Sequence, residues 1–150
     1  AWGPTALLPI FQMLGTNYLS KDILTRFADD KHRYDAFTKI AFVYPHAVAS
    51  LKVGQGVKSE GELVISGTKG YIYVPAPWWK TEYFEVRYEN PQNNKRYFYQ
   101  LDGEGLRYEL LTFFKAISTG SNFTYVSDDI SHSITQIIED FYAQRDMTII

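Results

Sequence analysis

The sequence predicts an α+β fold in which helices pack on one face of a large, mostly antiparallel sheet. Apolar residues recur with a helical period at both ends of the chain and with a period of two between them. The connections between the predicted strands are too short for crossover helices, so neighbouring strands should pair antiparallel. Because the 150 residues contain no repeat or linker, we expect a single domain, residues 1–150.

The first predicted element is a short amphipathic helix that ends at Gly15. Its apolar residues recur at helical spacing and are Leu7, Ile10, Phe11 and Leu14. Pro9 lies inside this pattern. Because the missing N–H of a proline costs little only in the first turn, we expect the helix to begin near Leu7 or to be kinked there.

The middle of the chain predicts a series of strands, rich in β-branched and aromatic residues and bounded by turn-forming residues. The predicted strands are residues 23–28, 35–44, 47–54, 61–66, 71–74, 83–88 and 96–100. Two of them meet at Gly67-Thr68-Lys69-Gly70, where the glycines can supply the positive φ values of a tight hairpin.

Residues 35–44 are mostly apolar on both faces, with Phe37 and Val43 on one and Ile40 and Phe42 on the other. An antiparallel sheet with one face in water would alternate cleanly between apolar and polar residues. We therefore expect helices on one face of the sheet. A second copy of the chain should cover the other, giving a homodimer through the open sheet face.

The last third of the chain returns to a helical period and predicts two helices. The first ends at Gly120, and its apolar residues are Leu110, Phe113, Phe114 and Ile117. The second begins after Ser127 as N-cap, and its apolar residues are Ile130, Ile134, Ile137, Ile138 and Phe141.

Composition excludes several classes of protein. With 15 Lys and Arg against 17 Asp and Glu, the net charge of −2 lacks the basic excess that nucleic-acid binding requires. The absence of cysteine excludes disulfides and thiolate zinc sites. No apolar run approaches the length that spans a bilayer, and residues 1–15 lack the basic start of a signal peptide. We expect a cytoplasmic protein with no membrane partner.

The sequence predicts neither a nucleotide site, a metal site nor a catalytic residue. The spacing of Gly54, Gly56 and Gly61, followed by a strand, is not a dinucleotide fingerprint. The histidines lie in separate elements and lack zinc-ligand spacing: His32, His46 and His132. Two pairs of adjacent acids fit a turn and a helix start better than acid/base chemistry: Asp29-Asp30 and Asp128-Asp129.

One loop, residues 75–80, carries two tryptophans between prolines and a lysine. Trp78 and Trp79 can stack on a sugar ring, or they can pack against another surface or subunit, which is the commoner role of such residues. Lys80 follows them directly.

Several segments, in order along nearly the whole chain, resemble one enzyme family. Residues 65–74 with Pro77-Trp78-Trp79 are similar to the I-x-G-T-K-G-x-I-x-V … P-W-W segment of the Gfo/Idh/MocA oxidoreductases. Residues 105–120 resemble that family's G-x-x-Y-E-x … F … I-x-x-G helix, and residues 127–142 its final helix. Residues 3–15 resemble the helix that opens the family's second domain.

The resemblance implies the C-terminal, substrate-binding and oligomerisation domain of an enzyme that uses NAD or NADP to oxidise a sugar, cyclitol or related polyol. The family's N-terminal Rossmann domain and its Glu-Lys-Pro segment, which carries the catalytic lysine, have no counterpart in this chain. We therefore expect no activity and no cofactor binding from the chain alone. Thr5, Trp78, Trp79 and Lys80 are the candidate substrate-binding residues.

The chain departs from the family where an aspartate and a histidine or tyrosine usually stand, because it has Ala1 and Thr5 there. Threonine cannot exchange protons near neutral pH as histidine does. Either the proton relay lies elsewhere, or the parent protein is not a standard dehydrogenase. The alternative functions are a non-catalytic carbohydrate-binding module and a dimerisation module.

Overall fold

The computed structural model describes residues 2–28, 34–103, 105–121 and 124–150. Contacts divide the chain into two compact units, of which unit 1 is Ala1–Ser59 with Tyr125–Ile150 and unit 2 is Glu60–Thr124. Ala1, Asp29, Asp30 and His32 lie outside the described residues. The expectation of a single domain stays a prediction.

The predicted α+β class is confirmed, and the described strands fall into two four-stranded, mostly antiparallel sheets. The helices are α1 (Gly3–Leu14), α2 (Leu106–Thr119) and α3 (Asp128–Tyr142). The strands are β1 (Ser20–Phe27), β2 (Asp35–Val43), β3 (Val48–Val53), β4 (Leu63–Gly67), β5 (Gly70–Val74), β6 (Tyr83–Tyr88), β7 (Lys95–Phe98) and β8 (Met147–Ile149).

Unit 1 contains the sheet with strand order β3-β2-β1-β8. The first three strands pair antiparallel, whereas β8 runs parallel to β1, with Ile23 opposite Met147. The sequence did not predict β8, because a three-residue strand is too short to show a period of two.

Helices α1 and α3 cover one face of this sheet, as predicted, and form the main core with it. Leu7 and Phe11 of α1 are 1% exposed, and Ile137 of α3 is 2% exposed. They pack with the buried strand residues Ile23, Ile40, Phe42 and Leu51. On β2 the residues of the opposite face, Lys39 and Val43, are exposed.

Helix α1 begins at Gly3, earlier than the expected start near Leu7, and continues through Pro9. Pro4 lies in the first turn, where no N–H partner is needed. An interior proline costs about 3 kcal/mol. Burying a Leu and a Phe side chain contributes about 3–6 kcal/mol, so the packing of Leu7 and Phe11 outweighs that cost.

Unit 2 contains the antiparallel sheet with strand order β4-β5-β6-β7. The predicted hairpin is present, since Gly67 pairs with Gly70 at its end. Only Gly70 of the two has a positive φ, 159°. A Cβ atom at Gly70 would overlap the carbonyl oxygen of Arg87 on β6, so close strand approach requires this glycine.

Helix α2 ends as predicted at Gly120, whose φ of 64° is left-handed. Helix α3 begins as predicted after Ser127, whose Oγ accepts a hydrogen bond from the backbone N–H of Ile130. Among the described residues, no helix has the length and apolar character needed to cross a bilayer.

Candidate functional site

The candidate binding residues of unit 2 lie on one 3-10 turn, Trp78–Lys80, which we call the tryptophan turn. The backbone N–H of Trp78 donates to the carbonyl oxygen of Gly61 at 3.0 Å. The Thr81 hydroxyl donates to the carbonyl oxygen of Trp78 at 2.6 Å. These two hydrogen bonds fix the turn against the segment that precedes β4.

The two tryptophan rings of this turn lie at right angles. Their centroids are 6.0 Å apart and their planes meet at 86°. Trp78 is half-buried, whereas Trp79 is 46% exposed. The ring of Trp79 lies over Gly61, within 3.7 Å of where a Cβ atom would stand. The turn therefore holds one ring in place and presents the other to solvent beside the exposed Lys80.

Thr5 belongs to unit 1. It lies in the first turn of α1 and is exposed. Backbone N–H groups at the start of a helix have no partner within that helix and favour oxygen atoms of a ligand or solvent. The structure thus brings three of the four predicted residues together on the tryptophan turn and places Thr5 on another element.

Sequence reasoning missed a charged cluster on one face of the sheet in unit 2. Glu85 of β6 accepts hydrogen bonds from Arg87 at 2.6 Å and from Nε of Arg96 on β7 at 2.8 Å. The Glu85 side chain is 13% exposed. The hydrogen bonds from Arg87 and then Arg96 lower the pKa of Glu85 below its ordinary value. Alternation along β6 places Glu85 and Arg87 on one face, and this was the available sequence signal.

Tyrosines surround this cluster. The guanidinium of Arg87 lies 4.4 Å from the ring centroid of Tyr73, and that of Arg96 lies 4.8 Å from the ring centroid of Tyr83. The Tyr73 hydroxyl donates to Glu62 at 2.8 Å, and this hydrogen bond raises the pKa of Tyr73. Cation–π contacts of this kind hold both arginines flat against the sheet.

A pocket of about 310 Å³ lies at the β4–β5 hairpin and is lined by Lys69, Tyr71 and Arg87 among others. The tryptophan turn follows the other end of β5. With about 3.3 Å per strand residue, the five residues of β5 separate the pocket from the turn by about 16 Å.

The glycines near β3 do not form a phosphate cradle. A Cβ atom at Gly54 would lie 2.6 Å from the carbonyl oxygen of Ala36, and the N–H of Gly56 donates to that same oxygen at 3.0 Å. Their role is close approach to β2, and no helix follows them. The described residues also hold no group of three His, Asp or Glu side chains that can bind a metal.

Comparison with family models finds no match to the sequence, and none of the curated proteins matches it. Solved structures do match. An aldose-aldose oxidoreductase from Caulobacter crescentus, complexed with glycerol, has a TM-score of 0.74 at 15% identity, covering 95% of this chain and 43% of that one. A 3-ketoreductase from Actinomadura kijaniata, a mutant complexed with TDP-benzene and NADP, has a TM-score of 0.73 at 10% identity, covering 99% of this chain and 46% of that one.

An oxidoreductase from Agrobacterium radiobacter, in complex with NAD+, L-tartaric acid and magnesium, has a TM-score of 0.70 at 14% identity. That match covers 97% of this chain and 46% of the other. The chain has the fold of a Gfo/Idh/MocA-type C-terminal domain. The chain spans less than half the length of these solved structures.

Proposed function

We propose that this chain is the substrate-binding and oligomerisation half of an NAD(P)-dependent oxidoreductase that acts on a sugar, cyclitol or related polyol. The observation that carries the proposal is the match of 95–99% of the chain to part of several oxidoreductases. One of them is named for aldoses, and two were solved with NAD+ or NADP. A cytoplasmic location, which rests on the absence of cysteine, belongs to the same proposal.

The tryptophan turn is the proposed contact for the polyol. The exposed face of Trp79 offers a flat apolar surface for the C–H groups of a sugar, and Lys80 offers N–H donors for its hydroxyl oxygens. Thr5 is the proposed second contact, since its exposed hydroxyl can both donate and accept a hydrogen bond. No residue of this chain is assigned a catalytic role.

The nicotinamide cofactor would be held by a further domain, because the glycines of this chain pack against β2 and lack the strand-turn-helix setting of a dinucleotide site. Titration of NAD and NADP into the chain in a calorimeter tests this point. We expect no heat of binding, and micromolar affinity would contradict the proposal.

Oligomerisation through the open face of the unit 1 sheet is the proposed partner contact. Val43 of β2 pairs with Val48 of β3, and these side chains are 43% and 80% exposed. Leu24 and Ala41 lie on the same face and are half-buried. Exposed valines paired across strands are typical of a surface that another chain covers.

The decisive experiment reads the gene upstream of Trp2 and assays the polypeptide that it encodes. We expect an encoded G-x-G-x-x-G strand-turn-helix unit and a Glu-Lys-Pro segment. The purified product should reduce NAD or NADP in the presence of one member of a panel of aldoses, ketoses and cyclitols. A product without that unit that binds a sugar would favour the carbohydrate-binding alternative, and one that only self-associates would favour the dimerisation alternative.

A further inference from the structure

Helix α2 leaves most of its apolar side chains exposed. Successive helix residues are about 100° apart, so five of its six Leu, Ile and Phe residues fall on one stripe about 100° wide, and the sixth, Leu111, lies beside it. This stripe, here called the α2 stripe, consists of Leu106, Leu110, Phe113, Phe114 and Ile117. These five side chains are 44–64% exposed.

The half-buried residues of α2 lie outside the stripe. Tyr108, Thr112 and Ala116 follow one another at four-residue spacing and are half-buried. The Thr112 hydroxyl donates to the carbonyl oxygen of Tyr108 at 2.8 Å. A helix at the surface normally buries its apolar stripe, so the exposure of the α2 stripe is unusual.

The other two helices show the normal arrangement. Leu7 and Phe11 of α1 and Ile137 of α3 are at most 2% exposed. The exposed stripe is therefore a property of α2 and not of helices in this chain generally. Removing Leu, Ile and Phe side chains from water is favourable in proportion to the apolar area covered, so covering five of them would be strongly favourable.

We propose that the α2 stripe is the docking surface for the additional half that the structural neighbours carry, the half in which the proposed function places the cofactor. The chain matches only 43–47% of those chains, so more than half of each lies outside the matched region. The identity of this occupant rests on the proposed function.

The size of the stripe favours an occupant on the same polypeptide over a second copy of the chain. The 14 residues of α2 extend about 21 Å, and at a width of about 10 Å the stripe covers on the order of 200 Å². A stable complex of separate proteins buries about 800 Å² on each partner. A covalent link supplies a millimolar effective concentration, so two halves of one polypeptide need bury less apolar area against each other than two separate chains.

Thiol labelling tests the proposal, because the chain has no cysteine of its own. Ile117→Cys places a thiol on the α2 stripe, and Thr119→Cys, the matched control, places one at an exposed position on the opposite side of the helix. Each variant is made in this chain and in the longer polypeptide that the gene encodes, after any cysteines there are changed to serine. The rate of reaction with a maleimide is measured in all four proteins.

We expect the two thiols to react at similar rates in this chain. In the longer polypeptide the Ile117→Cys thiol should react at least about tenfold more slowly, as for a site reached only by local opening, while the Thr119→Cys thiol keeps its rate. Equal rates in both proteins, or a gene product no longer than this chain, would overturn the proposal. A slow Ile117→Cys reaction in this chain that depends on its concentration would assign the stripe to a second copy and would overturn it too.

Titration of NAD and NADP into the longer polypeptide separates this proposal from the proposed function. A protected thiol without cofactor binding would contradict the oxidoreductase function and keep the docking surface. Cofactor binding with a fully reactive thiol would support the oxidoreductase function and contradict the docking surface.

Discussion

The Nζ atom of Lys21 on β1 lies 2.8 Å from Oδ2 of Asp140 on α3, and these side chains are 6% and 9% exposed. Asp140 also accepts hydrogen bonds from Nε of Arg145 at 2.7 Å and from Gln136 at 3.1 Å. The pair joins a strand to the helix that covers it. Both charges are removed from most of the surrounding water, so each needs partners within the protein, and Lys21 has a second one in Asp146.

We expect Asp140→Asn to destabilise unit 1 by about 1–3 kcal/mol, because it removes the carboxylate that pairs with Lys21 and Arg145, while Lys21 keeps its ion pair with Asp146. Urea denaturation followed by circular dichroism measures the change. Glu139→Gln, at the exposed neighbouring position on α3, is the control and should change stability by less than about 0.5 kcal/mol. Equal effects of the two substitutions would contradict the assignment.

The same pair predicts a loss of stability in acid. Burial acts to raise the pKa of Asp140, but the hydrogen bonds from Lys21, Arg145 and Gln136 outweigh it and lower the pKa from 3.8 to about 2. A carboxyl group whose pKa is lower in the folded than in the unfolded state stabilises the fold at pH values above its unfolded pKa. This stabilisation is lost as the pH falls through the folded pKa. We expect about 2 kcal/mol to be lost between about pH 5 and pH 2, and Asp140→Asn should lack this component. An unchanged pH profile in that variant would exclude Asp140 as its source.

The two hairpin glycines should respond differently to alanine. Gly70→Ala places a Cβ atom against the Arg87 carbonyl oxygen, whereas at Gly67 the nearest atom, the Gly70 oxygen, is 3.4 Å away. We expect Gly70→Ala to destabilise the fold by about 1–3 kcal/mol and Gly67→Ala by less than about 1 kcal/mol. The denaturation midpoints of the two variants measure this difference. A larger effect at Gly67 would show that the close approach of β5 to β6 does not require glycine at position 70.

If a second copy of the chain packs on the open face of the unit 1 sheet, substitutions on that face should give a folded monomer. Lys39→Glu with Val43→Glu places two carboxylates on the exposed face of β2, which should prevent a second copy from packing there. Light scattering should show the mass fall to that of one chain while circular dichroism is unchanged. The control is Val57→Glu with Lys58→Glu, the same charge change at two exposed residues between β3 and β4, and it should keep the dimer. An unchanged mass in the double variant would exclude this face.

Removal of the exposed ring should weaken polyol binding. Trp79→Ala deletes the proposed stacking surface, and an aromatic contact of about 0.5–1.5 kcal/mol corresponds to an increase in KM of about threefold to tenfold. Tyr142→Ala, an exposed aromatic at the end of α3, is the control. The longer gene product is the protein to assay. An unchanged KM in Trp79→Ala would exclude sugar binding by the tryptophan turn and would favour a role in packing or subunit contact.

The elements that were predicted correctly are those that depend on residues close together in the sequence. Strand β6 has the predicted bounds because four of its six residues are β-branched or aromatic and turn residues lie beyond it. The start of α3 follows from one side chain, Ser127, which satisfies a backbone N–H at the helix end. The hairpin follows from the Gly-x-x-Gly spacing between two apolar runs.

Features that depend on distant parts of the chain were not predictable from the pattern. Lys21 is buried because Asp140, from the other end of the sequence, lies beside it. Arg96 meets Glu85 through the register of β6 and β7, which no local signal specifies. Of the candidate site, the position of residues 75–80 between two strands was predicted, but the contacts of Trp78 and Trp79 with Gly61 were not, because they join segments that are distant in the sequence.

The parallel pairing of β1 with β8 has a consequence for the order of folding. Unit 2 is one continuous stretch of chain, whereas unit 1 is made of two stretches that lie on either side of it in the sequence. On the ribosome, unit 2 can complete its contacts while β1 still lacks a neighbour on one edge. Contacts of such long sequence separation form slowly and leave edges exposed to wrong partners. Unit 1 therefore cannot complete its fold until β8 has been synthesised.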